Sequence, residues 1–86
     1  MYLAKVYVTL KPAVNDPQGL TVQSGLEHLG FGSVQSVRIG KYMEIGVDAA
    51  NEQEARSQVE AMCQRLLANP VIEQFRFDVE AGGPGA

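Results

Sequence analysis

The side chains that are capable of catalysis are few in this sequence and far apart. His28 is the one histidine and Cys63 the one cysteine among 86 residues. A general base or a nucleophile works beside a second polar group, and neither residue has such a partner in its local pattern. One thiol and one imidazole also fall short of the ligand set of a structural zinc site. The sequence therefore predicts a chain without a catalytic centre, metal or cofactor of its own.

Three residues with reactive side chains have structural explanations instead. Cys63 lies on an apolar stripe with helical spacing, which predicts a position in the core. Asp16 stands directly before Pro17, and a capping aspartate followed by proline is typical of a helix start. His28 lies near the end of the same predicted helix, where a partly charged imidazole is favourable. We therefore assign packing or capping roles to Cys63, Asp16 and His28.

A second group of residues offers charge and hydrogen bonding in the connections between elements. Lys11 and Gln18 lie in or beside the connection from the first strand to the first helix, and Arg38 and Lys41 lie at the tip of a predicted hairpin. Proline-bounded connections hold their shape at low entropic cost, which suits a docking surface. The sequence therefore predicts that Lys11, Gln18, Arg38 and Lys41 bind a partner protein, with solvated surface charge as the alternative.

Apolar periodicity predicts the elements that position these residues. They are a strand over 2–10, a helix from Pro17 to the stop at Gly30, a hairpin over 34–48 turning at Gly40-Lys41, a helix between Asn51 and Pro70 with an apolar stripe at Ala55, Val59, Met62, Cys63 and Leu66, and a final strand over 74–79. The order βαββαβ favours an α+β fold of the ferredoxin-like kind. This is a two-layer sandwich of a four-stranded antiparallel sheet with both helices on one face. Residues 1–80 form one domain, and the Gly- and Pro-rich segment 81–86 is a predicted flexible tail.

Composition excludes several classes of partner. The formal net charge is −3, whereas nucleic acids and anionic membranes are bound by clustered Lys and Arg. No apolar run approaches the roughly 20 residues of a membrane span. The chain begins directly in a strand pattern rather than in a signal peptide, and a single thiol is typical of a reducing compartment. The sequence therefore predicts a cytoplasmic protein that binds neither nucleic acid nor membranes.

The small size of the chain predicts self-association. A domain of this length buries only about 60–65% of the surface that its unfolded chain exposes, and one cysteine gives no intrachain disulfide. The predicted sheet has its second face uncovered, with Leu3, Tyr7 and Tyr42 on it, together with open edge strands. We therefore expect a dimer or a larger oligomer that uses this face.

Four segments, in this order, carry a resemblance to a known family. They are Val6 to Pro12 running into Asp16-Pro17-Gln18-Gly19, then Leu29-Gly30-Phe31, then Val37 to Lys41 with Glu44, and finally Cys63 to Glu73. At these residues the chain resembles the PurS family, the small subunits of phosphoribosylformylglycinamidine (FGAM) synthase. The resemblance covers nearly all of 3–79, and Ala13 departs from the glycine expected there.

The resemblance implies a non-catalytic subunit of an ATP-dependent ligase complex in purine biosynthesis. The complex converts formylglycinamide ribonucleotide and glutamine into formylglycinamidine ribonucleotide. A glutaminase subunit releases ammonia, and a large synthetase subunit binds ATP and magnesium. The small subunit, as a dimer, bridges the other two and assists ammonia transfer.

An alternative of a different class stays open at this point. A regulatory domain of the ACT-like kind has the same βαββαβ plan and binds an amino acid at a dimer interface. Its ligand loop follows the first strand, where this chain has Asn15 to Gly19. Adjacency of the gene to glutaminase and synthetase genes would favour the bridging subunit over this alternative.

Overall fold

The computed structural model describes residues 1–82. These residues form a single sheet and two α-helices. These elements are β1 (Tyr2–Leu10), α1 (Pro17–His28), β2 (Gly40–Val47), α2 (Glu52–Met62), a π-helical turn (Cys63–Leu67) and β3 (Glu73–Ala81). The sheet is antiparallel with the order β2-β1-β3. The α+β class and the predicted first strand are confirmed.

The core lies between the sheet and α2. Alternation along β1 sends Ala4, Val6 and Val8 to one side, and each is at most 1% exposed. From α2 and the turn after it, Val59 and Cys63 meet this surface and are fully buried. The predicted core position of Cys63 is therefore confirmed, and burial raises the pKa of its thiol.

The predicted hairpin over 34–48 is wrong, and with it the four-stranded sheet. Within residues 1–82 the sheet has three strands, because Gly40 and Lys41 begin β2 instead of forming a turn. The preceding segment has its polar backbone groups bound elsewhere. The Ile39 amide donates to Asp16 Oδ2 (2.8 Å), and the Gln35 carbonyl accepts from Gln23 Nε2 (3.2 Å). Alternating side chains fit an extended loop as well as a strand, which is why the pattern misled.

The placement of α1 also departs from the prediction of two helices on one face. Only α2 packs extensively on the strands, whereas most residues of α1 are exposed. The radius of gyration is 16.4 Å, with extents of 51 × 30 × 15 Å. A compact chain of this length has a radius of about 12 Å. The helix layer over the sheet therefore holds one helix of this protomer rather than two.

The π turn changes which leucine faces the core. The Ala68 amide donates to the Cys63 carbonyl (3.0 Å), a bond that spans five residues. Leu66, predicted on the buried stripe, is 83% exposed, while Leu67 packs against the core. One extra residue in the turn thus moves the inward position along by one.

The C-terminal strand runs slightly beyond its predicted end. β3 continues through Ala81, which pairs with Tyr2, and the Gly82 amide donates to the Met1 carbonyl (3.0 Å). The rest of the predicted flexible tail, 83–86, lies outside the described residues. Among residues 1–82 no helix is both long enough and apolar enough to cross a membrane.

Candidate interaction site

Two connections meet at one end of the sheet, the one from β1 to α1 and the one from the π-helical turn to β3. β1 ends where its antiparallel neighbours begin, with Thr9 opposite Gly40 and Leu10 opposite Glu73. We call this region the loop end and define it as residues 10–18, 37–41 and 68–73. The predicted partner-binding residues Lys11, Gln18, Arg38 and Lys41 all lie in it.

Lys11 joins the two connections to each other. Its Nζ donates to the Pro70 carbonyl (2.7 Å), and its backbone amide donates to the Ile72 carbonyl (2.9 Å). A charge-assisted bond of this kind is stronger than one between neutral groups. The side chain of Lys11 therefore helps to shape the loop end as well as lying on its surface.

Arg38 binds the connection from β1 to α1. Its Nη2 donates to the carbonyls of Lys11 (3.1 Å) and Val14 (3.0 Å), while the residue as a whole stays exposed. These bonds satisfy carbonyls of a loop that belongs to no ladder. Arg38 thus has a role in the fold that its charge alone did not reveal.

Asp16 is the buried polar residue of the loop end, with 5% of its surface exposed. Oδ1 accepts from the Gly19 amide (2.9 Å) as the predicted helix cap, and Oδ2 accepts from the Ile39 amide (2.8 Å). The Ile39 and Gly19 amides lower the pKa of the carboxyl, and the positive charge of Arg38 lowers it further. The sequence signalled the cap, but not the second bond, which fixes the start of α1 to the segment before β2.

Glycine is required at two close approaches, one where α1 meets that segment and one where β2 begins beside β1. A Cβ at Gly19 would overlap the carbonyl oxygen of Val37, and a Cβ at Gly40 would overlap that of Val8. Both contacts involve backbone, which cannot swing aside as a side chain does. The approach at Gly19 therefore sets the position of α1 relative to the segment before β2.

Lys41 and Gln18 are the predicted residues that remain most available to another molecule. Both line a surface hollow of about 370 Å³ whose other walls include Asp16, Ile39 and Glu73. Lys41 Nζ lies 3.6 Å from Glu73 Oε2, yet the lysine side chain is 65% exposed. An exposed ion pair of this length leaves the ammonium group accessible.

The second connection is held by Asn69 and Glu73, which lie in the segment Cys63 to Glu73 that carries the resemblance but were not predicted as binding residues. Asn69 Oδ1 accepts from the Val71 amide (3.0 Å), and Glu73 Oε1 accepts from the Asn69 amide (2.7 Å). The signal was present in the order Asn-Pro with a glutamate four residues after the asparagine. The turn fixes Val71 in a position where it is 77% exposed.

The open face of the sheet, opposite α2, carries rings and charges. The Arg76 guanidinium lies 3.9 Å from the Tyr7 ring centroid, and the Tyr7 and Tyr42 rings are 5.1 Å apart. Lys5 Nζ pairs with Glu80 Oε1 at 2.7 Å. The face predicted for self-association is thus aromatic and charged, and its groups already contact one another.

No reactive cluster accompanies these surfaces in the part of the chain that the structure describes. There, no group of three or more His, Cys, Asp or Glu side chains is placed to hold a metal ion. The Nδ1 atom of His28 lies 2.7 Å from the Ser24 carbonyl oxygen one turn earlier in the same helix. The loop end thus offers a shaped, hydrogen-bonding surface.

Comparison with known proteins gives a consistent set of relatives. Residues 3–81 match the family model PurS, described as phosphoribosylformylglycinamidine (FGAM) synthase. The subunit PurS of that synthase from Synechocystis sp. is 50% identical over 80 residues, which are 93% of this chain and 80% of the relative. The subunit from Bacillus subtilis is 49% identical over 80 residues, covering 93% and 94% of the two chains.

Solved structures of similar proteins share the fold. PurS from Bacillus subtilis has a TM-score of 0.83 and 49% identity, covering 93% of this chain and 99% of that one. A chain in the structure of PurLQS from Thermotoga maritima also has a TM-score of 0.83, with 28% identity and the same coverage of 93% and 99%. The likeness therefore extends over nearly the whole chain.

Proposed function

Because this chain belongs to the PurS family of phosphoribosylformylglycinamidine synthase subunits, we propose that it serves as the non-catalytic small subunit of that synthase. In this role it joins a glutaminase subunit to a large synthetase subunit in de novo purine biosynthesis. The glutaminase subunit releases ammonia from glutamine. The synthetase subunit uses this ammonia to convert formylglycinamide ribonucleotide into formylglycinamidine ribonucleotide.

The observation that carries this proposal is the chain of the PurLQS structure that aligns with nearly the whole molecule. The loop end supports it physically. Lys11, Arg38 and Asp16 fix three connections to one another by side-chain bonds, so the surface is formed before a partner arrives. Preorganisation lowers the entropic cost of docking. A bridging subunit needs such fixed surfaces and no reaction centre.

The remaining parts of the proposal concern the other subunits and the setting. ATP and magnesium bind to the large synthetase subunit, and this chain holds no cofactor. The small subunit acts as a dimer or tetramer in the cytoplasm and assists the transfer of ammonia between its two partners. The match of residues 3–81 to the PurS model decides against the ACT-like alternative.

The test is a paired assay of the assembled complex with each nitrogen source. Lys11 and Arg38 were predicted contacts, but both are bound into the fold, so Gln18→Ala with Lys41→Ala is the cleaner variant. We expect affinity for the partners to fall about five- to tenfold. Glutamine-dependent synthesis should fall more than ammonia-dependent synthesis, because only the first requires a docked glutaminase.

A matched control replaces residues of similar type on the outer side of α2. Gln53→Ala with Arg56→Ala also removes one amide and one positive charge from exposed positions. This control should leave both activities unchanged. The bridging role is wrong if the unmodified chain fails to co-purify with both larger subunits, or if the complex keeps full glutamine-dependent activity without it.

A further inference from the structure

The loop end is positively charged on its surface, although the chain as a whole has a formal net charge of −3. It holds three of the seven Lys and Arg residues, Lys11, Arg38 and Lys41, and two of the ten Asp and Glu residues, Asp16 and Glu73. Asp16 is 5% exposed and the Glu73 side chain is 14% exposed, so both carboxylates are enclosed. Arg38 is exposed, and so is most of the Lys41 side chain. The field that another molecule meets at this end is therefore positive.

An exposed apolar side chain lies beside two of these cations. Lys11 Nζ donates to the Pro70 carbonyl (2.7 Å), and Lys41 Nζ lies 3.6 Å from Glu73 Oε2. One ammonium group is therefore bound just before Val71 and the other two residues after it, and Val71 itself is 77% exposed. Protein interfaces have this anatomy, in which an apolar centre is surrounded by a polar rim.

Val71 is held in this outward position by the turn around it. Its amide donates to Asn69 Oδ1 (3.0 Å), and the Ile72 and Glu73 amides donate to the Asn69 carbonyl (3.2 and 2.7 Å). The ring of Pro70 fixes one backbone angle of the same turn. An apolar side chain that is fixed in water contributes nothing to the core, but it loses little entropy when a partner covers it. The turn therefore presents Val71 ready for contact with another molecule.

We propose that the loop end docks on an acidic protein surface, in which carboxylates surround an apolar pocket that receives Val71. The cations of the loop end select the sign of the partner's charge, and the apolar side chain fixes the register of the contact. A small anion would pair with the ammonium groups but would leave Val71 and Ile72 in water, whereas a protein surface covers all of them. The proposal rests on the bridging role, because the acidic surface belongs to one of the two larger subunits.

A graded series at Lys41 reports the sign of the partner's charge. Lys41→Gln removes the positive charge and Lys41→Glu reverses it, while isothermal titration calorimetry measures the dissociation constant for each larger subunit. For the subunit that binds the loop end, we expect this constant to rise about three- to tenfold with Lys41→Gln and at least about thirtyfold with Lys41→Glu. Arg56→Gln and Arg56→Glu, at an exposed position on the outer side of α2, are the matched controls. They should change the constant by less than about threefold.

Truncation of two exposed side chains tests the apolar pocket. Val71→Ala should raise the same dissociation constant about five- to tenfold, because two methyl groups no longer fill the pocket. Leu66→Ala is the control, since Leu66 is 83% exposed and lies outside the loop end. It should change the constant by less than about twofold. Circular dichroism checks that each variant is folded, and sedimentation equilibrium checks that its own oligomeric state is unchanged.

Salt gives a measurement that needs no substitution. Raising sodium chloride from about 0.05 M to about 0.5 M should weaken binding of the unmodified chain at least about tenfold, and binding of the Lys41→Gln chain by a smaller factor.

Four outcomes would overturn the proposal. They are that Lys41→Glu binds as tightly as Lys41→Gln, that Val71→Ala has no more effect than Leu66→Ala, that sodium phosphate weakens binding far more than sodium chloride of equal ionic strength, and that the Lys41 variants act by changing self-association. The third outcome would show a small-anion site and the fourth a contact between copies of this chain. If the unmodified chain co-purifies with both larger subunits while these outcomes occur, the loop-end proposal alone is wrong and the bridging role stands.

Discussion

The two helices of this chain differ in what they bury, although both are well specified locally. α1 has an aspartate cap, a proline in its first turn and a closed C-terminal turn, yet Gly19 is its one buried residue. α2 starts at the Asn51 cap, where Oδ1 accepts from the Glu54 amide (2.8 Å), and buries Ala55 and Val59 against the sheet. Local signals thus decide where a helix begins and ends. The surface that it covers is decided by tertiary contacts, or by another chain.

The two helices should differ most in the stability lost when one valine of each is replaced by alanine. Val59→Ala leaves a cavity in the core and should lower the free energy of unfolding by about 2–3 kcal/mol. Val22→Ala in the monomeric chain should change it by less than about 0.5 kcal/mol, because the side chain is 42% exposed. Urea unfolding at a protein concentration at which the chain is monomeric measures both changes in free energy. Equal losses would mean that α1 packs on its own sheet.

The next largest loss of stability should come from introducing a polar atom at the buried position just after α2. Cys63→Ser places a hydroxyl at a fully buried position and should cost about 1–3 kcal/mol of stability. Partner binding by the folded fraction should stay unchanged, because the residue lies in the core. Thiol labelling provides the control, since the native protein should react much more slowly than the unfolded one. Rapid labelling of the native chain would contradict the buried assignment.

The attachment of α1 should respond to acid through Asp16. Its pKa is lowered from 3.8 in the folded state, so the contribution to stability is present above pH 3.8 and is lost as pH falls below that value through the folded pKa. Asp16→Ala should be less stable at neutral pH and should lack this part of the acid loss. Unfolding curves from pH 7 to 2, with Asp48→Ala as the exposed control, measure it. Parallel curves for the Asp16 variant and the unmodified chain would refute this role.

The smallest effect on stability should come from the exposed side of the loop end. Lys41→Ala removes an ion pair whose lysine is 65% exposed, and should change the free energy of unfolding by less than about 0.5 kcal/mol. The same variant should still weaken docking, which separates binding from folding at this position. A stability loss as large as that of Val59→Ala would instead make Lys41 a structural residue.

The sequence predicted elements better than their arrangement. The strand over 2–10, the cap at Asp16 and the core position of Cys63 were readable because each depends on neighbours within a few residues. The sequence did not show that the residues before β2 form a loop instead of the first strand of a hairpin. The reason is that the bond from the Ile39 amide to Asp16, which holds this loop, joins positions 23 residues apart. Periodicity reports which side chains share a face, and not which backbone groups are paired.

The candidate site shows the same limit. Lys11, Gln18, Arg38 and Lys41 were predicted from their positions in connections, and they do lie at one end of the sheet. The sequence could not show that Lys11 and Arg38 bind carbonyls of the loops, because a surface cation and a loop-fixing cation have the same side chain. Family membership was readable for a different reason, since it depends on the order of whole segments.

The π-helical turn after α2 accommodates one residue more than a regular α-helical turn would hold. Deleting Gln64 would let the regular 3.6-residue spacing continue, and Leu67 would then stand three positions after Cys63, the spacing at which the sequence pattern had placed Leu66. Leu67 would keep its place against the core, and Leu66 would stay on the outer side, where it is now 83% exposed. Losing the extra residue of this turn would therefore preserve the packing of α2 and leave β3 in place, whereas the same change inside β1 would move side chains from one face of the sheet to the other. Length variation among relatives should accordingly concentrate at this turn and be absent from the central strand.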